Sequence, residues 1–284
     1  MALLFALAVL LQFGQPSSVT IRGYSGDAME PFLTRDGRYL LFNNSNAVPS
    51  QTDLHWAERI DDLTFEYRGR LEGANSPDLD AVASVDSSAQ IFFITTRSYA
   101  QNLITIYRGR FEQGVVRDAV PLSGLSAGIV GRINFDVEVS ADGSTLYFAD
   151  GLFTGGPVPA AADLVIAIRQ KDGSFRRTES DELAAVNTSA LEYAASLSSN
   201  RLELYFTRLT PGGEPAIYRS TRGTTSSAWE TPRRIDAISG FAEAPTVSPD
   251  GRALYYHALR KGRFVIERIS RPPLPRRRAV TPMR

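Results

Sequence analysis

The chain has 284 residues, 31 Lys+Arg against 31 Asp+Glu, two histidines and no cysteine, and it is 43% hydrophobic and 10% aromatic. That length holds one large all-β domain or two smaller ones. The lack of cysteine excludes disulfide scaffolds, thiolate zinc sites, iron–sulfur clusters and thiol catalysis. The zero net charge gives no reason to expect nucleic-acid binding.

Residues Ala2–Leu11 are an unbroken apolar run, followed by Gln12-Phe13-Gly14-Gln15-Pro16-Ser17-Ser18. Ten residues are about half the ~20 a membrane-spanning helix needs. The run suits the apolar core of a secretory signal, although it lacks a preceding Lys or Arg and an Ala-x-Ala site. The expectation is a signal peptide over 1–18, a folded region over 19–270 and a Pro/Arg-rich tail over 271–284. The protein would then be exported, periplasmic or secreted, and the mature chain would carry no membrane span.

The rest of the chain repeats itself. A unit with an acid, a short apolar segment, Ser/Thr-x-Asp-Gly and an aromatic-rich run occurs at 30–42, 136–148 and 244–256, with degenerate copies at 80–92 and 194–206. Taking Asp36, Asp86, Asp142, Asn200 and Asp250 as anchors gives spacings of 50, 56, 58 and 50. Such a period is too long for helical or leucine-rich repeats and suits a four-stranded blade. Asp-Gly between two β-rich runs is a strong hairpin signal, because Gly supplies the positive φ of the turn; Asn200 is expected to take that conformation, and Asp86-Ser87 is a poorer fit. Third strands are predicted at 54–57, 104–108, 164–169, 216–219 and 265–269, and fourth strands at 65–68, 115–116, 175–177 and 229–230.

The fifth unit has no fourth run, because Arg271-Pro272-Pro273 cannot supply ladder donors. Val19–Arg22 is an orphan strand before the first unit, and ring closure assigns it to the last blade. The expected fold is therefore all-β: a single β-propeller of four-stranded blades, closed by the N-terminal strand. Five blades are expected, or six if the loops 149–163 or 178–192 hide strands.

The copies of S-x-D-G-x-x-[LI]-[YF]-[FY], of which Ser248-Pro249-Asp250-Gly251 is the clearest, resemble the WD40-like "Pro-Asp" propeller repeat of TolB and related bacterial proteins. The resemblance implies the propeller fold and a habit of binding partners. TolB's six blades and extra α/β domain are not evident here, so a role in the Tol–Pal system is not carried over.

Gly124-Leu125-Ser126-Ala127-Gly128 satisfies G-x-S-x-G, but no helical period follows it, so it reads as a loop between blades. The recurring acids hold more promise. Glu30, Asp80, Asp136, Glu192 and Glu243 would gather at one mouth of the central channel, joined by His257 and by Arg97 and Arg208. Clustered carboxylates raise one another's pKa or invite a divalent cation, and a pair of them can serve glycoside chemistry; each could equally accept backbone hydrogen bonds between blades. On this basis the chain is expected to be a non-catalytic, monomeric binding module for a protein or polar carbohydrate ligand, with no resident cofactor. The alternative is a carbohydrate-active hydrolase or lyase using those carboxylates.

Overall fold

A computed structural model describes residues 13–46 and 51–272. Of the 21 strands among the described residues, all but Thr20–Arg22 fall into four-stranded antiparallel units, in which sequence neighbours pair apart from the closing strand Ser17–Ser18. The first unit holds β3 (Met29–Leu33), β4 (Tyr39–Asn43), β5 (Leu54–Arg59) and β6 (Thr64–Arg70). The second holds β7 (Asp80–Val85), β8 (Gln90–Thr95), β9 (Ile106–Glu112) and β10 (Val115–Pro121). The third holds β11 (Arg132–Val139), β12 (Thr145–Leu152), β13 (Ala161–Arg169) and β14 (Phe175–Arg177). The fourth holds β15 (Leu191–Leu197), β16 (Glu203–Leu209), β17 (Ala216–Thr221) and β18 (Arg233–Arg234). The last holds β19 (Ala242–Val247), β20 (Ala253–Arg260), β21 (Arg263–Ser270) and β1 (Ser17–Ser18).

The innermost strands β3, β7, β11, β15 and β19 each touch the next, and β19 returns to β3, which gives a closed propeller. The loop 149–163 contributes only the ends of β12 and β13, and 178–192 only a 3-10 turn (Asp181–Leu183) and the start of β15. Trp229, expected in a fourth strand, is instead a buried packing residue, and Arg233–Arg234 form that strand. The second strands are apolar on both faces because they are sandwiched: Leu40, Leu41 and Phe42 are fully buried, as are Leu204, Tyr205 and Phe206.

The ring closes one step earlier in the chain than expected. Gly14 donates to Ser270 O at 2.9 Å, Ser17 and Ser18 pair with Arg268 and Glu267, and Val19 donates to Ile266 O. Thr20–Arg22 (β2) then leaves the last blade and pairs in parallel with Thr64–Glu66 of the first. The expected boundary at residue 19 thus falls inside the closing segment, and Phe13, the first described residue, is buried against Tyr205. Arg271 also belongs to the fold, since it bonds Glu203 and stacks over Phe13. The apolar run 2–11 and the tail from 273 lie outside the described residues.

Four hairpins share one turn, in which a Ser or Thr hydroxyl donates to the Asp or Asn two residues on and accepts a backbone N–H five residues on. The pairs are Thr34–Asp36, Ser140–Asp142, Ser198–Asn200 and Ser248–Asp250, all at 2.5–2.7 Å. In the fourth unit Arg201, not Asn200, takes the left-handed position, with φ 59°. In the second unit Asp86 is the acceptor for Ser88 and Gln90, and Ala89 takes the left-handed position with φ 64°.

Neighbouring blades are joined by side chains. The N–H of Val139 donates to Ser84, that of Leu197 to Glu138, that of Val247 to Ser196 and that of Leu33 to Thr246. Glu138, buried on the axis, also accepts from Ser84 Oγ and from Arg35, which reaches over from the first blade's turn. The axial cavity above this crossing measures only about 30 Å³, room for a water or two but not for a sugar.

Candidate active site at the channel mouth

Each innermost strand slips register at one point, and a residue there adopts positive φ: Glu30 (50°), Val82 (45°), Asp136 (53°), Ala194 (53°) and Ala244 (50°). Bulges of this kind re-aim side chains, and a non-glycine residue held there costs about 1–3 kcal/mol. The cost is offset because blade neighbours accept the N–H groups that the bulges release. Asn43 accepts from Val82, Thr207 from Ala244, and His257 Nδ1 from Glu30 at 3.1 Å. The Ala194 N–H goes to the carboxyl of Asp136. Asn43, Thr207 and His257 occupy equivalent positions on their second strands, opposite Met29, Tyr193 and Glu243.

Of the expected site residues, the structure brings together Glu30, Asp136, Glu243 and His257. Because His257 Nδ1 accepts a backbone N–H, the ring proton sits on Nε2 and is donated to Glu243 Oε2 at 3.0 Å. The phenol of Tyr193 donates to the other oxygen, Oε1.

Asp136 differs. Burial, followed by the charges of Glu30 and Glu243, pushes its carboxyl well above the usual carboxylate range. Glu30 is also raised, first by burial, while His257 and the amide of Asn46 pull it down. Asn46 donates to Glu30 Oε1 at 2.8 Å, and the buried Oε2 has no hydrogen-bond partner among the described residues. The mouth therefore places a carboxyl whose protonated form is favoured beside one that accepts two side-chain hydrogen bonds. The charge of Glu243 also drives the Tyr193 phenol above its ordinary range, after burial.

The other expected residues are not part of this group. Asp80 is fully buried and locked by Ser76 and by Arg97 at 2.9 Å, and Glu192 is likewise locked by Thr188 and by Arg208 at 2.6 Å. Arg97 and Arg208 are thus committed to structural ion pairs. Asp80 and Glu192 lie two residues before the bulge of their strand, whereas Glu30 and Asp136 lie on it. Among the described residues no group of three or more His, Asp or Glu side chains is spaced to hold a metal ion.

Sequence reasoning missed Tyr193, Asn46 and Phe135. Tyr193 and Phe135 occupy the strand position of Glu243, visible once the units are aligned on the paired residues Leu33/Leu40, Val85/Ile91, Val139/Leu146, Leu197/Leu204 and Val247/Leu254. Half-buried rings flank the acids on both sides. Phe135 packs against Phe153 and Tyr193, while Phe241 and Phe264 pack against His257, with centroids 5.6–6.3 Å apart.

No family model matches the chain, and no curated protein does. Solved structures match over nearly all of it. A structure titled "Glycoside hydrolase" has TM-score 0.65 at 11% identity, covering 99% of this chain and 97% of its own. A family 117 glycoside hydrolase produced by the marine bacterium Zobellia galactanivorans has TM-score 0.61 at 10% identity, with 92% and 91% covered. An endo-arabinase from Bacteroides thetaiotaomicron has TM-score 0.57 at 16% identity, with 92% and 99% covered. The chain shares their β-propeller fold.

These neighbours correct the expectation of a non-catalytic module and the preference against an enzyme: they are glycoside hydrolases, and they favour the carbohydrate-active alternative.

Proposed function

We propose that the protein is a glycoside hydrolase whose working groups are Glu30, Asp136 and Glu243. The carrying observation is the contrast between two carboxyl groups at one mouth: burial and the charges of Glu30 and Glu243 push Asp136 well above the usual carboxylate range, while Glu243 accepts hydrogen bonds from both Tyr193 and His257. Glycoside hydrolysis needs such a pair. Asp136 gives its proton to the leaving glycosidic oxygen as the C–O bond breaks, Glu243 faces the positive charge developing on the sugar ring, and a water then adds its OH to the anomeric carbon and returns its other proton to Asp136. Glu30 adds negative charge that holds the Asp136 proton. The neighbours' titles support this reading at the level of the fold.

The test is release of reducing ends from a panel of plant and algal polysaccharides. Asp136→Asn and Glu243→Gln should each lose roughly 10²–10⁴-fold in rate while staying folded. Wild-type protein inactive on every glycan tested would reject the proposal.

No helix among the described residues is long and apolar enough to cross a membrane. Export rests on the apolar run 2–11, and the TolB-like origin of the blades on the Ser-x-Asp-Gly turns; both belong to the same proposal.

A further inference from the structure

Arginine is abundant near the mouth, yet each arginine there is matched with an acid outside the catalytic group. Arg97 is tied to Asp80, Arg132 to Asp150, Arg208 to Glu192 and Arg260 to Glu267, at 2.6–3.1 Å. Among the described residues no arginine or lysine forms an ion pair with Glu30, Asp136 or Glu243, and the charges acting on Asp136 are those of Glu30 and Glu243 alone. The segment 47–50, which follows Asn46, reads Ala-Val-Pro-Ser and brings no charge. Arg271, the last arginine described, lies on the opposite face, bonded to Gly251 O of a hairpin turn.

The remaining surface of the mouth is aromatic. Phe135 with Phe153 stands on one side of Glu243, and Phe241 with Phe264 on the other; all four rings are half-exposed. Such rings receive the C–H faces of pyranose or furanose units and offer nothing to a carboxylate or sulfate.

We propose that the mouth selects glycans whose rings are uncharged and rejects those bearing uronate or sulfate groups. The inference rests on the hydrolase reading for the site's location, but its argument is the distribution of charge. An acidic ring would enter beside Glu30 and Glu243, which no arginine or lysine among the described residues pairs with, and like charges brought together across a recognition surface repel. The axial cavity is too small to take the ring, so discrimination occurs at the surface where Phe135 and Phe153 lie.

The experiment measures binding of two oligosaccharide panels to the full chain at low ionic strength by native mass spectrometry. The neutral panel holds arabino-, galacto-, xylo- and manno-oligosaccharides together with fully methyl-esterified oligogalacturonides. The acidic panel holds the de-esterified oligogalacturonides, alginate oligomers and sulfated galactans. At least one neutral member should bind roughly tenfold or more above any acidic one. The gap should narrow in high salt and in a folded Glu30→Gln/Glu243→Gln variant. Acidic members that bind as well as neutral ones, or a gap unchanged in the double variant, would overturn the inference whatever the activity. Neutral members bound but never cleaved would overturn the hydrolase reading and uphold the charge argument; binding of neither panel would overturn both.

Discussion

The imidazole of His257 joins the backbone N–H of Glu30 to the carboxylate of Glu243, and so links the first blade to the last across the seam where the ring closes. Asn43 and Thr207 do the backbone half of this work at equivalent places; the imidazole also reaches Glu243, whereas the Asn43 amide donates to Asn46. His257→Ala should cost about 1–3 kcal/mol in urea denaturation, from the unmet Glu30 N–H, and should lower the hydrolytic rate. His257→Asn should recover much of the stability without the rate, because an amide oxygen accepts the N–H, as Asn43 shows, but does not reach Glu243 with the same geometry. Recovery of both together would mean that His257 serves packing alone.

The five acids divide into two classes that stability measurements can separate. Asp80→Asn and Glu192→Gln each leave an arginine without its carboxylate partner and should lose about 3–5 kcal/mol. Asp136→Asn should be neutral or stabilising at pH 7, because the amide removes the carboxyl that burial disfavours. The sign follows from linkage: as pH rises above about 4 the unfolded chain releases this proton and the folded chain keeps it, so stability falls with rising pH. Asp136→Asn should flatten that limb of the stability–pH curve, which thermal melts from pH 4 upward will show.

On the hairpin side, Arg35 and Glu138 form a buried cross-link with side-chain exposures of 8% and 3%. Arg35→Ala leaves Glu138 charged on the axis, and about 3–5 kcal/mol should be lost. Pairing Arg35→Met with Glu138→Gln should restore much of it, since the amide still accepts from Leu197 N–H or Ser84. A double-mutant cycle measures the difference.

His55 gives a second pH signature, away from the mouth. Burial lowers its pKa to about 4, with its ring stacked on Phe42 and Nδ1 bonded to the Tyr67 hydroxyl. The unfolded imidazole titrates near 6.5, so the neutral native form is fully stabilising above that pH. On the order of 3 kcal/mol should be lost as pH falls from 6.5 to 4. His55→Phe keeps the stack and should abolish this loss in chemical denaturation at pH 5 against pH 7.

The hairpins were legible in the residues because Ser-x-Asp-Gly specifies its turn through local hydrogen bonds. The rows of the innermost strands were not. The turn between Val85 and Ile91 is one residue shorter than that between Val139 and Leu146, which displaces the anchor in the second unit and sets Asp80 in line with Asp136. A different signal was present: Asp80 has Arg97 17 positions later and Glu192 has Arg208 16 later, while Glu30 has Asn46 at 16. An acid with an arginine across its hairpin is neutralised in place, and one with an amide there is left reactive. The bulges leave no trace in composition, since Glu, Val, Asp and Ala all occupy them; that conformation is imposed by packing around the axis.

The closing segment carries a consequence for biosynthesis. Among the described residues Gly14 and Ser17–Val19 find their backbone partners in Ile266–Ser270, at the far end of the ring in sequence, while Thr20–Arg22 wait for Thr64–Glu66. A ribosome therefore delivers an arc of blades in which Ser17–Ser18 stay unpaired until the hairpin of β20 and β21 emerges. Contacts this distant in sequence slow folding. Since Glu30 and Glu243 face each other across that same joint, the proposed site should be assembled only when the ring closes.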